Sequence, residues 1–217
     1  MLGVELVDLG AHRLKGLPRE QRLFQVASDG LRADFDRLRT ADAAAARPGV
    51  GTFVMTDLVG LRHLIRSLGD EASELVLADY VGIVTAAVEA NNGVVIDAVA
   101  DNVTAVFVNA SDGVRAAAAI REAVADLAWP LDSEVAVSII VHSGRWSGDP
   151  QNMAAGTALI RLSRLAQTVA PGQILISTTT AALVEGDRSV PPLHDLGERV
   201  ISDADKPEQV FELIESQ

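Results

Sequence analysis

The chain of 217 residues contains no cysteine, few aromatic residues and a deficit of basic ones. Without cysteine it can form neither a disulfide framework nor a zinc–thiolate centre. The 18 lysines and arginines face 30 acidic residues, which gives a net charge of −12. This balance argues against nucleic acid as the main partner, because binding to a phosphate backbone needs a basic face. With aromatic residues at only 4%, the core must be packed from small side chains.

Long apolar runs are missing too. The longest, such as residues 135–141, have the length of a strand and fall far short of a membrane span. The N-terminus does not resemble a signal peptide. There is no Walker A loop, and the four histidines show no metal-ligand spacing. We therefore expect a cytoplasmic protein without a membrane partner, whose 48% of hydrophobic residues suffice for a buried core.

An internal repeat is the first positive feature. Residues 8–26 and 195–213 both begin Asp-Leu-Gly and both contain Pro followed by Glu-Gln. Both also place Phe sixteen residues after the Asp. The pattern predicts two short strands joined by a Gly/Pro turn. We interpret residues 1–27 as an orphan copy of the chain's C-terminal hairpin, residues 28–50 as a linker and residues 51–217 as the main domain.

Hydrophobic periodicity predicts the element order β-α-α-β-β-α-β-α-β from residue 52 onward. The predicted strands include 52–58, 134–142 and 174–177, and the predicted helices are 61–68, 70–90, 111–127 and 154–168, with a further short helix before the closing hairpin. Asp70 and Ser111 are the expected N-caps of two of these helices. The core order β-α-β-β-α-β predicts an α+β, ferredoxin-like fold, with an antiparallel-rich sheet and helices packed on one face.

Two aspartates occupy neighbouring strand ends in this prediction. Asp57 closes an apolar strand, and Asp101 lies at a tight turn between two others. Two carboxylates in this arrangement can share divalent cations, and two cations about 3.5–4 Å apart can support an in-line phosphoryl displacement. The alternative is that both are turn-forming acids, since Asp is common at strand ends.

The segments around these aspartates resemble the class III nucleotidyl cyclase homology domain over residues 50–215. The matching segments are residues 53–60 (FVMTDLVG), the hairpin around Asp101, 141–144 (VHSG), 158–165 (ALIRLSRL), 171–177 (PGQILIS) and 195–197 (DLG). The orphan segment 1–27 resembles the end of a preceding cyclase domain. The stretch after it is similar to the linker that follows cyclase domains in actinobacterial regulators.

The resemblance implies a metal-dependent site for ATP or GTP. In the family, two aspartates and a backbone carbonyl hold Mg²⁺ or Mn²⁺, and these positions match Asp57, Asp101 and Leu58. A family arginine that stabilises the transferring phosphate matches Arg164. The resemblance also implies a head-to-tail dimer, formed with a second copy or another cyclase-type chain, in which the aspartates of one chain face the arginine of the other.

The sequence departs from the family at the residues that recognise the nucleotide. Asp97 stands where the family has an adenine-reading lysine, and Met153 stands where it has that lysine's polar partner. Ile160 replaces a ribose-orienting asparagine, and Ser202 replaces a triphosphate-binding lysine. The orphan segment keeps a lysine, Lys15, at the position equivalent to Ser202.

These departures lead to two hypotheses. The first is a catalytically impaired cyclase homology domain that acts as a dimerising regulatory module in cyclic-nucleotide signalling. The second is a weak metal-dependent cyclase that makes cAMP or cGMP, in which Asp97 accepts hydrogen bonds from guanine. A third idea is that the orphan hairpin supplies Lys15 to the depleted site.

Overall fold

The computed structural model describes residues 4–12, 21–28, 49–127, 129, 135–146, 156–201 and 207–214. The chain divides into two compact units, Met1–Arg47 and Pro48–Gln217. In the first unit, β1 (Val4–His12) and β2 (Gln21–Ser28) pair antiparallel. The predicted turn between them and the predicted linker after residue 28 lie outside the described residues.

The second unit contains seven strands and five helices among its described residues. In chain order they are β3 (Gly49–Val59), α1 (Leu61–Leu68), α2 (Asp70–Ala90), β4 (Val94–Val99), β5 (Asn102–Phe107), α3 (Ala110–Ala125), β6 (Ala136–Trp146), α4 (Thr157–Ala166), β7 (Ile174–Ser177), α5 (Thr178–Leu183), β8 (Leu193–Arg199) and β9 (Glu208–Leu213). Within the described residues, no helix combines the length and hydropathy that a membrane crossing requires.

One mixed sheet organises this unit, in the strand order β4-β5-β3-β6-β7-β9-β8. The pairing between β6 and β7 is parallel, and the other five pairings are antiparallel. The first four strands of the unit occupy the order β4-β5-β3-β6, which is that of a ferredoxin-like βαββαβ core. The predicted α+β class is therefore confirmed.

Alternation along β3 sends its side chains to two separate clusters. Val54 joins a core with residues of α2 and α3, among them Tyr80 and Ile120. Its neighbour Phe53 points the other way, into a cluster with Leu162 of α4. Thus α2 and α3 pack on one face of the sheet as expected, and α4 differs from the expectation because it covers the opposite face.

Two helix starts differ from the predicted caps. Gly69, not Asp70, is the N-cap of α2, and Asp70 is the first residue of that helix. Asn109 caps α3 by accepting a hydrogen bond from the Ser111 backbone N–H at 3.1 Å. Both Asn and Ser are strong cap formers. The earlier of the two in sequence takes the role, and Ser111 instead donates to Asp187 at 2.5 Å.

In the middle of the chain, the predicted ends of a strand and a helix also differ from the observed ends. The strand predicted at 134–142 is β6, which continues to Trp146. There Trp146 meets Phe53 edge-to-face, with ring centroids 6.2 Å apart. The helix predicted at 154–168 is the shorter α4.

Candidate functional site

A buried hydroxyl network holds the end of β3 in place. The Tyr80 hydroxyl of α2 donates to Thr56 Oγ1 at 2.7 Å. The backbone N–H of Val103 in β5 donates to the same oxygen at 3.3 Å. Because Thr56 precedes Asp57 and Val103 follows the Asp101 turn, one oxygen ties together both chain segments that carry the candidate metal ligands.

The structure brings Asp57 and Asp101 together. Asp57 is exposed at the end of β3, and Asp101 is half-buried at the turn between β4 and β5. Partial burial raises the pKa of Asp57, and the negative charge of Asp101 raises it further. Burial also raises the pKa of Tyr80 above its usual range, and the charges of Asp101 and Asp57 add to that rise.

These groups fit a magnesium or manganese site. The electrostatic repulsion between two neighbouring carboxylates is what a divalent cation would relieve. The Leu58 side chain is in the core, so the ligand available from this residue is its backbone oxygen. The described residues contain no cluster of three or more His, Cys, Asp or Glu suited to a metal. A site of one or two carboxylates completed by water and substrate phosphates is typical of Mg²⁺.

The turn that presents Asp101 carries backbone strain. Ala100 adopts φ = 53°, in the left-handed region. This conformation costs an L-residue about 1–2 kcal/mol, whereas glycine adopts it freely. Ala100 therefore keeps this turn at a cost in stability.

The second part of the candidate site lies on α4. Ile160 and Arg164 are four residues apart and therefore share a helix face. Both line one cavity of about 440 Å³, together with His142 and Arg161. Ile160 is 50% exposed. The residues that line this cavity include neither Asp57 nor Asp101.

Asp97, the remaining predicted site residue that the structure describes, is not among the residues that line this cavity. Asp97 is exposed on β4, opposite Thr104 of β5 and next to a register irregularity. Met153, Ser202 and Lys15 lie outside the described residues.

A buried histidine beside the α4 cavity is a feature that sequence reasoning missed. His142 Nδ1 lies 3.0 Å from Ser177 Oγ and 3.4 Å from Thr179 Oγ1. Burial lowers the pKa of His142 to about 4, and the positive charge of Arg161 contributes to the fall. The ring is therefore neutral at pH 7. The available signal was a polar pair, His-Ser, at 142–143, directly after the apolar run at 139–141.

The same network continues away from the cavity through hydroxyl groups. Ser143 Oγ lies 2.8 Å from Thr52 Oγ1 on β3 and 3.0 Å from Thr180 Oγ1 on α5. Arg161 of α4 forms an ion pair with Glu208 of β9. These contacts link α4, β6 and the closing hairpin around His142.

Comparisons with known proteins identify the fold. No protein-family model matches the sequence, and no curated protein matches it. The adenylyl cyclase CyaB from P. aeruginosa superposes with a TM-score of 0.71 at 20% identity, over 80% of this chain and 98% of that one. The guanylate cyclase domain of RhGC from Catenaria anguillulae, in complex with GTP, gives 0.67 at 16% identity, over 79% and 100%.

A third structure is the non-canonical dimeric guanylyl cyclase domain of the RhoGC fusion protein from Blastocladiella emersonii. It gives a TM-score of 0.67 at 15% identity, over 78% of this chain and 98% of that one. At these identities the likeness establishes the fold, while the chemistry has to be argued from the residues. The chain has the fold of the class III adenylyl and guanylyl cyclase catalytic domains.

Proposed function

We propose that this chain is a catalytically impaired cyclase homology domain that acts as a dimerising regulatory module in cyclic-nucleotide signalling. The observation that carries the proposal is Ile160. Its side chain is half exposed and lines the cavity that also holds Arg164. An exposed apolar side chain there cannot hydrogen-bond a sugar. Poor orientation of a reacting hydroxyl can by itself reduce a rate about 10²-fold.

The charges of the predicted nucleotide-binding residues also favour impaired catalysis. Asp97 puts an exposed negative charge at a position where the resembling family has a lysine, and Ser202 stands in place of that family's triphosphate-binding lysine. Loss of a single electrostatic stabiliser costs about 3–4 kcal/mol of transition-state stabilisation. The two losses need not add. We place the domain in the cytoplasm, where cyclic-nucleotide signals are made and read.

The proposed dimer is supported by where the two parts of the candidate site lie. Arg164 lines a cavity that contains neither Asp57 nor Asp101, as expected if the arginine and the aspartates of one site come from different chains. The exposed Ile160 and Val99 side chains are apolar surface that an association would cover. The partner is a second copy or another cyclase-type chain.

Sedimentation velocity over a micromolar concentration range tests this proposal. We expect a concentration-dependent dimer in the intact chain, and a weaker one in the Ile160→Asp variant. Leu183→Asp is the matched control, since Leu183 is an equally exposed apolar residue on a different helix, α5. A chain that stays monomeric alone and in mixtures with a competent cyclase would rule out the regulatory dimer.

A weak metal-dependent nucleotidyl cyclase is the second candidate function. It is favoured by the proximity of Asp57 and Asp101, which is close enough for one charge to raise the pKa of the other group. In that reaction the ribose 3′-oxygen bonds to the α-phosphorus as the bond to pyrophosphate breaks. Bound Mg²⁺ or Mn²⁺ would activate the 3′-hydroxyl and stabilise the leaving pyrophosphate. Asp57 and Asp101 would hold the ions, and Arg164 would balance charge on the phosphate.

Calorimetry with ATP and GTP, with and without Mn²⁺, separates the two functions. Metal-dependent binding of GTP in preference to ATP would favour the cyclase and a guanine contact at Asp97. Turnover that disappears in Asp57→Asn but persists in Asp126→Asn, an exposed acid at the end of α3, would establish it. Absence of binding for both nucleotides would leave the regulatory module.

A further inference from the structure

The two hairpins of the chain share one strand register. In the second unit, Asp195 of β8 pairs with Phe211 of β9. In the first unit, Asp8 of β1 pairs with Phe24 of β2. The sequence repeat thus corresponds to a repeated backbone pairing, and not only to shared residue types.

The irregularity that follows the aspartate is shared as well. The register shifts after Asp8 in the first hairpin and after Asp195 in the second. In the second hairpin this bulge is held by Gly197, which has φ = 77° and donates its N–H to Asp195 Oδ1 at 2.8 Å. The equivalent residue of the first hairpin is also glycine, Gly10. Bulges of this kind are specific features and not accidents of pairing.

Burial distinguishes the hairpins. In β9, Val210 and Leu213 are 1% and 0% exposed because they pack into the core of the second unit. In β2, Phe24 is 51% exposed and Val26, the equivalent of Leu213, is 49% exposed. Within its own unit, the first hairpin therefore exposes apolar residues of the pattern that the second hairpin buries.

The pairing of β9 with β7 shows how the second hairpin uses its apolar pattern. β9 pairs antiparallel with β7, where Phe211 lies opposite Ile176 and Val210 opposite Ser177. Within the described residues, β2 pairs with β1 alone, in a two-stranded sheet. A two-stranded hairpin is at best marginally stable in water, and an open apolar edge favours pairing with another strand.

We propose that the β1–β2 hairpin closes the sheet of a second cyclase-type domain, with β2 pairing antiparallel with the strand that occupies the place of β7 in that domain. A second copy of this chain does not provide that strand, because its β7 is already paired with β9. The partner is a cyclase-type sheet that lacks its own closing hairpin. This inference does not depend on nucleotide binding by residues 48–217.

A length-matched exchange within the full chain tests the fit. Residues 6–26 are copied over residues 193–213, so that the orphan sequence must pair with β7. At β9 the exchange makes two conservative apolar changes, Val210→Leu and Leu213→Val, and leaves Phe211 as Phe. The exchange removes the Glu208 partner of Arg161, a half-exposed ion pair whose loss costs little.

Hydrogen exchange at the backbone amides of Leu175 and Ile176 is the readout. We expect protection in the exchanged chain to stay within about tenfold of the parent. The control carries Phe24→Lys and Val26→Lys in the copied segment, and it should lose the protection. A larger loss without the lysines, or no loss with them, would overturn the proposal.

Sedimentation velocity of the intact chain tests whether the hairpin binds a second copy of this chain. If Phe24→Lys leaves self-association unchanged, a second copy of this chain is excluded as the hairpin's partner, as the proposal requires. If this substitution converts a dimer to monomers, the hairpin binds a second copy, and the assignment of the partner is wrong.

Discussion

The two halves of the candidate site, at the end of β3 and on α4, differ in the kinds of side chain that they present. At the β3 end, an exposed and a half-buried carboxylate lie on two chain segments that hydrogen bonds to Thr56 join together. At α4, an arginine stands beside an exposed isoleucine and a buried neutral histidine. The first half has carboxylates of the kind that bind a cation, and the second presents an exposed apolar side chain beside its arginine. The proposed function rests on this difference.

The largest expected effect concerns His142 at the α4 end. Its pKa is lowered to about 4 in the folded chain, so between the ordinary value of about 6.5 and pH 4 the unfolded state binds more protons. Stability is thus fully present above pH 6.5 and falls as the pH drops, by about 3 kcal/mol at pH 4.

Urea unfolding at a series of pH values measures this loss. His142→Asn can keep a contact to Ser177 but cannot take up a proton in this range. We expect the variant to show a flatter profile between pH 6.5 and 4 than the parent. If parent and variant profiles are parallel, the imidazole is not held neutral by burial.

The next largest effect concerns Thr56, which precedes Asp57 near the end of β3. Thr56→Val keeps the shape but removes the oxygen that accepts from Tyr80 and Val103. The buried donors left unsatisfied cost about 2 kcal/mol. Thermal or urea unfolding checks this value. Thr104→Val on β5 is the control, since its hydroxyl makes a long bond of 3.5 Å to Asn102, and a loss of equal size there would contradict the special role of Thr56.

A smaller effect of opposite sign is expected at Ala100. Ala100→Gly relieves the left-handed strain but gives the unfolded chain more freedom, for a net gain of about 0.5–1 kcal/mol in stability. Ala98→Gly, in the preceding strand, should instead lose about 0.5–1 kcal/mol. Unfolding midpoints of the two variants, compared with the parent, give the signs. Destabilisation by both would show that the turn is unstrained.

The smallest effect tests the coupling of the carboxylates. Asp101→Asn removes the second cause of the raised pKa of Asp57 and leaves burial, which is the larger cause. The pKa of Asp57 should therefore fall part of the way to its ordinary value, as measured by NMR titration of its side-chain carbonyl carbon. An unchanged pKa would place the two groups too far apart to share a cation.

The sequence predicted the class of the fold because its signals are local and periodic. The structure contains the features that these signals predicted. They are strands with alternating side chains, a hairpin at each Asp-Leu-Gly and Asp57 near the end of β3. Helix starts were less certain because adjacent residues compete for the cap, as Asn109 and Ser111 do. The face chosen by α4 was not predictable from its own pattern. It depends on the crossover between the parallel strands β6 and β7.

The candidate site was predictable only in part, because some of its contacts join residues that are far apart in the sequence. Asp57 and Asp101 could be paired from the sequence because each follows a recognisable strand. His142 could not be identified as buried and neutral, because its partners Ser177 and Thr179 lie 35 and 37 positions away. The ion pair of Arg161 depends on Glu208, which reaches it only through the closing hairpin.

The position of β3 in the sheet has a consequence for how the domain is made. β3 is the first strand of its unit in the sequence, yet it lies between β5 and β6 in the sheet. A ribosome delivers β5 well before β6, and domains fold from the N-terminus as they emerge. During that interval one edge of β3 has no partner strand. The sheet face that carries Phe53 is also uncovered, because Leu162 of α4 has not yet been made. The nascent chain is therefore most prone to aggregate before α4 has been synthesised.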